Sequence, residues 1–201
     1  GSRQAVVTDG SWKVTSKGPI IANNEYDGEE YDARKELPGW NRSGYDDTGW
    51  QPADVVSAPA GQLCAQPCPP IRVMERVRPV SITRMPSGKY LVDMGQNMVG
   101  VPKIKLSGMK PGTRICLRFA EVKYPDLPEY KGNTGMIMLE NIRAAMAQDI
   151  YIAKGGEETI FPRFTYHGYR FVEITGIDEP LPAASVKGVV LSSIHELRSR
   201  Y

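Results

Sequence analysis

Hydrophobic and polar residues alternate with a period of two over several short stretches of this chain, as expected for β-strands with one buried face. The clearest case is 114–119, in which Ile115, Leu117 and Phe119 share a side. Turn signals such as Pro111-Gly112 separate these stretches. The other predicted strands are 11–15, 71–77, 80–82, 90–92, 103–106, 149–152, 169–175 and 186–191. The spacing predicts an all-β protein, an antiparallel β-sandwich or jelly roll with long loops and at most a short helix.

Four stretches lack this alternation. Residues 23–40 are polar and acidic, and we interpret them as a solvated loop in which Arg34 pairs with a carboxylate. Residues 52–70 are rich in Ala and Pro and are predicted to be a linker or crossover between two units. Residues 124–138 form a long irregular loop by composition, and 139–147 have the propensity for one or two helical turns.

Composition and charge exclude several classes of protein. Of 201 residues, 41% are hydrophobic and 24% charged, which are globular values and argue against disorder. The net charge of +2 is spread without a basic run, so no nucleic-acid partner is expected. No apolar run approaches the length of about 20 residues that a membrane helix needs, so no membrane partner is expected. Gly1-Ser2 is typical of a cloning scar. The natural N-terminus and any export signal on it are therefore not read from this sequence.

Cysteines and carboxylates could in principle hold a metal. Cys64 and Cys68 have a spacing found in some zinc sites but lack a second ligand pair. Cys64 and Cys68 could form a disulfide in an oxidising compartment or stay free thiols, and the sequence leaves both open. The three cysteines cannot all pair, so a Cys64–Cys68 disulfide would leave Cys116 without a partner. The acidic residues of 25–32 do not have the spacing of a twelve-residue calcium loop. We therefore predict no metal and no cofactor.

The stretch 161–176 combines five aromatic rings, two arginines and His167. Its second half is predicted to be a strand with Tyr169, Phe171, Glu173 and Thr175 on one side. One interpretation is a packed core with an aromatic edge. The other is a polar groove lined by His167 and its neighbours, which would suit a sugar.

Candidate carbohydrate-binding residues follow from the second interpretation. The predicted exposed stacking platforms and their hydrogen-bonding neighbours are Trp40, Trp50, Tyr166, Tyr169, Asn97, His167 and Arg170. Glu121 and Asp149 could form the carboxylate pair of a glycoside hydrolase, but ion pairs with arginines such as Arg143 explain them more simply, so no catalytic residue is assigned. His195, near the C-terminus, offers no second residue with which it would form a catalytic pair.

Several motifs together resemble the non-catalytic β-sandwich of bacterial α-L-rhamnosidases, glycoside hydrolase family 78. Those in the sandwich part are Asp93-Met-Gly-Gln-Asn-Met-Val-Gly100, Ala120-Glu121, Asn141-Ile-Arg143, Asp149-Ile-Tyr151 and Phe164-Thr-Tyr-His-Gly-Tyr-Arg-Phe-Val-Glu173. Upstream, Asp9-Gly-Ser-Trp12, Tyr26-Asp-Gly-Glu29, Tyr31-Asp-Ala-Arg34, Pro38-Gly-Trp40 and Asp47-Thr-Gly-Trp50 resemble the end of the family's N-terminal domain. The motifs follow the family's order over nearly the whole chain.

The resemblance implies a function and a domain division. It implies an ancillary part of an enzyme that hydrolyses terminal α-L-rhamnose by an inverting mechanism, whose two catalytic carboxylates lie in an (α/α)6 barrel of the same polypeptide. It divides the chain into 1–2, the scar; 3–68, the end of the N-terminal β domain; 69–194, the sandwich; and 195–201, a link toward the barrel. The substrate class favours a periplasmic or extracellular location. The alternative is a carbohydrate-binding module for rhamnose-containing glycans.

Two departures from the family pattern limit what is carried over. The region 121–141 is longer and richer in Met and Pro than the commonest pattern, and the chain begins midway through the family's first domain. No sugar or calcium ligand of that domain is therefore assigned here.

Overall fold

The computed structural model describes residues 3–193 of the protein. It is built from strands, and the prediction of an all-β fold is confirmed. Strands β1 to β14 are, in order, Lys13–Val14, Ile20–Asn24, Gly28–Asp32, Gln51–Pro52, Arg72–Val77, Ser81–Arg84, Tyr90–Met109, Arg114–Ala120, Val122–Lys123, Ile137–Met138, Gln148–Ile152, Gly156–Ile160, His167–Thr175 and Val186–Ser192. Short 3-10 turns occur at Ala33–Lys35, Pro128–Tyr130, Glu140–Ile142 and Ala183–Ser185. The predicted scar 1–2 and link 195–201, with His195, lie outside the described residues.

One ten-stranded sheet holds the molecule together, and it curls so that two layers face each other. The hydrogen-bonded order is β2-β3-β11-β8-β13-β7-β14-β5, and β6 and β12 also pair with β7. The 20-residue β7 belongs to both layers. Its first residues pair with β6 and β13 in the first layer, and its last residues pair with β12 and β14 in the second layer.

The change of layer occurs at an irregularity in β7. Tyr169 of β13 pairs with Met98, but Phe171 pairs with Asp93, so the four residues 94–97 of β7 lie opposite Arg170, three more than regular pairing would place there. Gly95 within this bulge has φ +79°, a conformation that favours glycine. Bulges of this kind let a strand pass from one packed sheet to another.

The bulge overturns the predicted alternation in β13. Tyr169 lies in the main core, whereas Phe171 lies in a separate small cluster with Ala120 and Ile137 on the other side of the sheet. Val172, predicted to lie opposite Tyr169, lies in the same core as Tyr169. The expectation that Tyr169 and Phe171 share a face is therefore wrong, because the irregularity shifts the phase by one residue.

The main core fills the space between the two layers. The first layer contributes Ile115, Leu117 and Phe119 of β8, as the alternation predicted, and the second layer contributes Ile104 of β7 and Val186 of β14. All five side chains are at most 2% exposed. Removing this apolar surface from water is the dominant favourable term in folding.

The acidic segment 23–40 is partly a buried hairpin rather than a solvated loop. Strand β3 pairs antiparallel with β2 and parallel with β11, which is a departure from the predicted antiparallel sheet. Glu29, Tyr31 and Asp32 are all buried. The predicted pairing of Arg34 is confirmed, because its guanidinium donates to both carboxylate oxygens of Asp32 at 2.9 and 2.8 Å.

Two other stretches match their predictions only in part. Residues 53–71 carry no strand or helix and are nearly all exposed, as expected of a linker. Residues 139–147 contain only the 3-10 turn Glu140–Ile142. Arg143 and Ala147 follow that turn at φ +56° and +42°, which a continuing helix would not allow. Among the described residues, no helix is long and apolar enough to cross a membrane.

Candidate functional site

An aromatic cleft of about 680 Å³ lies between the N-terminal segment and the loop that precedes β13. Trp40 is 61% exposed at its edge, and Trp50 and Phe164 also line it. Trp50 is held by an edge-to-face contact with Tyr45, with ring centroids 5.9 Å apart. Trp40 follows a Pro-Gly turn in which its backbone N–H donates to Leu37, and this turn presents the indole. The planar rings offer surfaces on which a sugar ring could stack.

Polar groups border the same cleft. The Arg163 guanidinium lies 4.7 Å from the centroid of the Tyr31 ring. The Tyr31 hydroxyl donates to Glu36 at 3.0 Å, and Glu36 also pairs with Lys154. Burial is the main cause that raises the pKa of Tyr31 to about 12, so the phenol stays a donor at neutral pH. A cleft with aromatic walls and a few fixed donors and acceptors has the general character of a small-ligand site.

His167 is part of the core. It is 4% exposed, and its ring stacks on Phe119 with centroids 4.0 Å apart and planes 14° apart. Its Nε2 lies 3.0 Å from Oδ1 of the buried Asp149. That oxygen also accepts from the backbone N–H of Glu29 at 2.9 Å, which ties β3, β11 and β13 together. The expectation that His167 lines an open groove is wrong, because its strand is covered by the second layer.

Tyr169 is buried beside this pair. Its ring is 0% exposed and meets Phe119 edge to face at 5.0 Å, so the prediction of an exposed stacking platform is wrong. Burial, followed by the nearby Asp149 carboxylate, raises the pKa of Tyr169. Its hydroxyl and Oδ2 of Asp149 are both buried without a hydrogen-bond partner among residues 3–193. Burial also raises the pKa of Glu29, whose carboxylate accepts from the backbone N–H of Arg163 at 3.1 Å.

Arg170 and Asn97 lie on the opposite, outer side of the first layer. Arg170 donates from Nε and Nη2 to both oxygens of Asp93, at 2.9 and 3.0 Å, and this bidentate pair holds the pKa of Asp93 below its usual range. Asn97 donates to Glu121 at 3.2 Å. The Arg170 guanidinium lies over the ring of Phe171 at 5.0 Å. Arg170 lies opposite the bulge in β7, so its ion pair with Asp93 fixes β13 to β7 at the bulge.

The two carboxylates considered for catalysis do not face each other. Asp149 points into the core, whereas Glu121 lies on the outer side, where Asn97 and Asn141 donate to it at 3.2 and 3.4 Å. The expected pairing with arginines such as Arg143 is wrong. Asp149 pairs with His167, and Arg143 forms no ion pair within the described part of the chain.

The structure thus divides the seven predicted sugar-binding residues into three groups. Trp40 and Trp50 meet in the aromatic cleft. Tyr166, 45% exposed, Asn97 and Arg170 lie elsewhere on the surface, and His167 and Tyr169 are buried. Sequence reasoning missed the other cleft residues, among them Tyr31, Glu36, Lys154, Arg163 and Phe164. Only Arg163 and Phe164 carried a signal, since they lie in the aromatic-rich stretch.

The three cysteines are free, with Cys64 and Cys68 exposed and Cys116 half-buried, where burial raises the pKa of its thiol. Within the described residues, no group of three or more His, Cys, Asp or Glu side chains is arranged to hold a metal ion.

Comparisons with known proteins agree along nearly the whole chain. The family model for the alpha-L-rhamnosidase N-terminal domain matches residues 1–75, and the model for the bacterial alpha-L-rhamnosidase concanavalin-like domain matches residues 83–192. An alpha-L-rhamnosidase of Alteromonas sp. (strain LOR) is 38% identical over 191 residues, which are 94% of this chain and 20% of that protein.

Solved structures give the same result. The structure of an alpha-L-rhamnosidase from Dictyoglumus thermophilum superposes with a TM-score of 0.84 at 40% identity and covers 94% of this chain and 20% of that one. The Streptomyces avermitilis alpha-L-rhamnosidase complexed with L-rhamnose superposes with a TM-score of 0.83 at 39% identity, over 96% of this chain and 18% of that one. The chain spans about a fifth of the length of the relatives it matches.

Proposed function

The chain belongs to the α-L-rhamnosidase family, and from that premise we propose that it is the ancillary β-sandwich region of an enzyme that hydrolyses terminal α-L-rhamnose from glycosides. Its role is to support the catalytic (α/α)6 barrel of the same polypeptide, which supplies the acid and base of an inverting mechanism. The relatives are about five times longer than this chain, which supports a larger enzyme around it. We also propose that residues 3–68 are the end of the family's N-terminal domain and residues 69–194 its sandwich domain, joined here by the pairing of β3 with β11.

The observation that carries this proposal is an apolar patch on the outer face of the second layer. Val73 of β5 pairs with Leu191 of β14. Val99 of β7 lies one residue beyond the pair Gly100–Val190 and so on the same face as Leu191. Val73 and Val99 are 45% and 48% exposed. Leu191 is half-buried between them. We name Val73, Val99 and Leu191 the docking patch, because neighbouring apolar side chains left exposed on one face suit a contact with another protein surface.

A charge in the docking patch tests this role. We expect Val99→Asp in the full-length gene product to lower kcat/KM for an aryl α-L-rhamnoside about tenfold, because a charge at a packed interface weakens docking of the barrel. The measurement is steady-state turnover, together with thermal unfolding of the 201-residue chain carrying the same change. The chain alone should keep its stability, since Val99 is half exposed there.

Val56→Asp is the matched control. Val56 is 79% exposed in the segment without regular structure, so the same charge there should leave turnover unchanged. Equal turnover in the two variants would exclude the docking patch. Hydrolysis of the aryl rhamnoside by the 201-residue chain alone would exclude the ancillary role.

The aromatic cleft favours a second candidate function, binding of a rhamnose-containing glycan by this region itself. Trp40 and Trp50 supply stacking surfaces, and Arg163, Glu36 and Lys154 supply polar contacts. L-rhamnose is also the ligand named for the Streptomyces avermitilis structure. Binding would hold the substrate near the enzyme without taking part in hydrolysis.

Replacement of the exposed indole tests this second candidate. We expect Trp40→Ala to weaken binding of L-rhamnose or a rhamnoside about tenfold, because it removes a stacking surface. Isothermal titration calorimetry at millimolar ligand measures the effect. Trp12→Ala is the control, since Trp12 is 47% exposed but does not line the cleft. If wild-type protein gives no heat at these concentrations, the cleft does not bind small sugars.

A further inference from the structure

Four cationic side chains from three strands meet on the outer face of the second layer. Arg76 of β5, Lys103 and Lys105 of β7, and Lys187 of β14 line a groove of about 230 Å³. The register explains why they meet, because Lys187 lies directly opposite Lys103 and Arg76 opposite Val189. Lys103 and Lys105 are two residues apart on one strand and therefore share a face. The sequence contains no basic run at any of these positions, so only the pairing of the strands creates the basic groove.

Within residues 3–193, the four cations of the basic groove are not ion-paired, although Lys105 also lines a neighbouring pocket with Glu157 and Glu158. None of the four side chains forms an ion pair with a carboxylate in the part of the chain that the structure describes. All four residues are exposed. Like charges directly opposite each other on neighbouring strands destabilise a sheet. An anion bound between Lys103 and Lys187 would offset that repulsion.

The floor and edge of the groove are apolar. Val189 and Val101 pair with each other and are 2% and 3% exposed beneath the cationic side chains. The ring of Phe161 is 38% exposed at the edge of the groove, and the ammonium group of Lys103 lies 5.3 Å from its centroid. Thr159, opposite Lys105 on β12, adds an exposed hydroxyl. Cations beside an aromatic face and a hydroxyl can contact a sugar ring and its acidic substituent together.

We propose that the basic groove binds the carboxylate or sulfate groups of an acidic polysaccharide, so that the enzyme acts on rhamnose carried by an anionic glycan. This inference rests on the proposed rhamnosidase function, because it names a class of substrate for that enzyme. The groove lies on the same face as the docking patch, since Val99, Val101 and Lys103 follow one another along β7 with the same orientation. A glycan held in the groove would therefore extend toward the docked barrel.

The size of the groove favours a saccharide over a nucleic acid. Four cations around one groove can neutralise only a few negative charges, whereas specific nucleic-acid interfaces bury an extended and strongly basic surface. The chain as a whole carries a net charge of only +2.

Affinity electrophoresis and calorimetry at low ionic strength test the proposal with polygalacturonate, which carries carboxylates, dextran sulfate, which carries sulfates, and uncharged dextran. We expect the 201-residue chain to bind one or both acidic polymers and not dextran, with affinity that falls as salt is added. Lys103→Gln combined with Lys187→Gln should weaken that binding about tenfold. A preference for either acidic polymer identifies the anionic group and supports the proposal.

The combination of Lys110→Gln and Lys131→Gln is the control, because it removes the same charge from two exposed lysines outside the groove. Equal loss of binding in both double variants would show that binding depends only on the net charge of the chain, and would overturn the proposal. Absence of binding to both acidic polymers would overturn it as well. Tighter binding of a single-stranded oligonucleotide of equal charge would also overturn it. Any of these results combined with the expected effect of Val99→Asp on turnover would reject the groove and leave the proposed function intact.

Discussion

Replacing Phe119 with alanine is expected to lower the free energy of unfolding by about 3–5 kcal/mol, the usual range for truncating a buried aromatic ring. Phe119 is 1% exposed and contacts two other rings, the stacked imidazole of His167 and the edge-to-face Tyr169. Its loss would leave a cavity beside the buried Asp149–His167 pair, which small core shifts cannot fill without disturbing that hydrogen bond. Urea unfolding followed by tryptophan fluorescence measures the change as a lower midpoint with an unchanged slope.

Phe164→Ala is the control for this prediction. Phe164 precedes the same strand but is 72% exposed, so the variant should lose no more than about 0.5 kcal/mol. A Phe119→Ala protein with the stability of the Phe164→Ala protein would contradict the assignment of Phe119 to the centre of the core.

Gly28→Ala should destabilise the protein by at least about 2 kcal/mol, through backbone strain and a steric clash together. Gly28 has φ +105°, and a Cβ there would lie 2.0 Å from the carbonyl oxygen of Gln148 and 2.6 Å from Oδ1 of Asp149. The carbonyl belongs to the backbone of β11 and cannot rotate away, so the parallel pairing of β3 with β11 must open. Thermal unfolding and amide hydrogen exchange of β3 measure the effect.

Gly132→Ala separates the two causes. Gly132 has a similar φ of +96°, but no atom lies within 4 Å of a Cβ placed there. It should therefore lose only the conformational part, about 1–2 kcal/mol. If the two variants are equally stable, the close approach of β3 and β11 at Gly28 is not a constraint on the fold.

The strands that alternation predicted are those with one clearly buried face. In β8 the side chains of Ile115, Leu117 and Phe119 all enter the core, and the pattern shows it directly. Strand β3 was missed because its sequence, Gly-Glu-Glu-Tyr-Asp, has the composition of a loop. Glu29 and Asp32 can be buried there only because their carboxylates have hydrogen-bond partners. Asp32 accepts from the guanidinium of nearby Arg34, and Glu29 accepts from the backbone N–H of Arg163, which is distant in sequence.

The candidate sites were predictable only as far as single residues have a meaning of their own. Trp40 and Trp50 could be named because each directly follows a turn signal in the sequence, Pro38-Gly39 and Thr48-Gly49. Both lie in the aromatic cleft. His167 could not be placed, because a histidine beside tyrosines has the same sequence signature in a groove and in a core. The basic groove could not be found at all, since Lys103 and Lys187 become neighbours through strand register, which the sequence does not state.

The sharing of β7 between the two layers also governs how the protein folds. One continuous strand is hydrogen-bonded to β6, β12, β13 and β14, so melting of β7 removes pairing partners from both layers. Several of the paired residues, such as Gly100 and His167, are far apart in sequence. These distant segments must meet before either layer can form. Chains rich in such distant pairings close slowly. An emerging polypeptide would therefore expose its unfinished edges until β14 has been synthesised, a period in which association with other chains competes with folding.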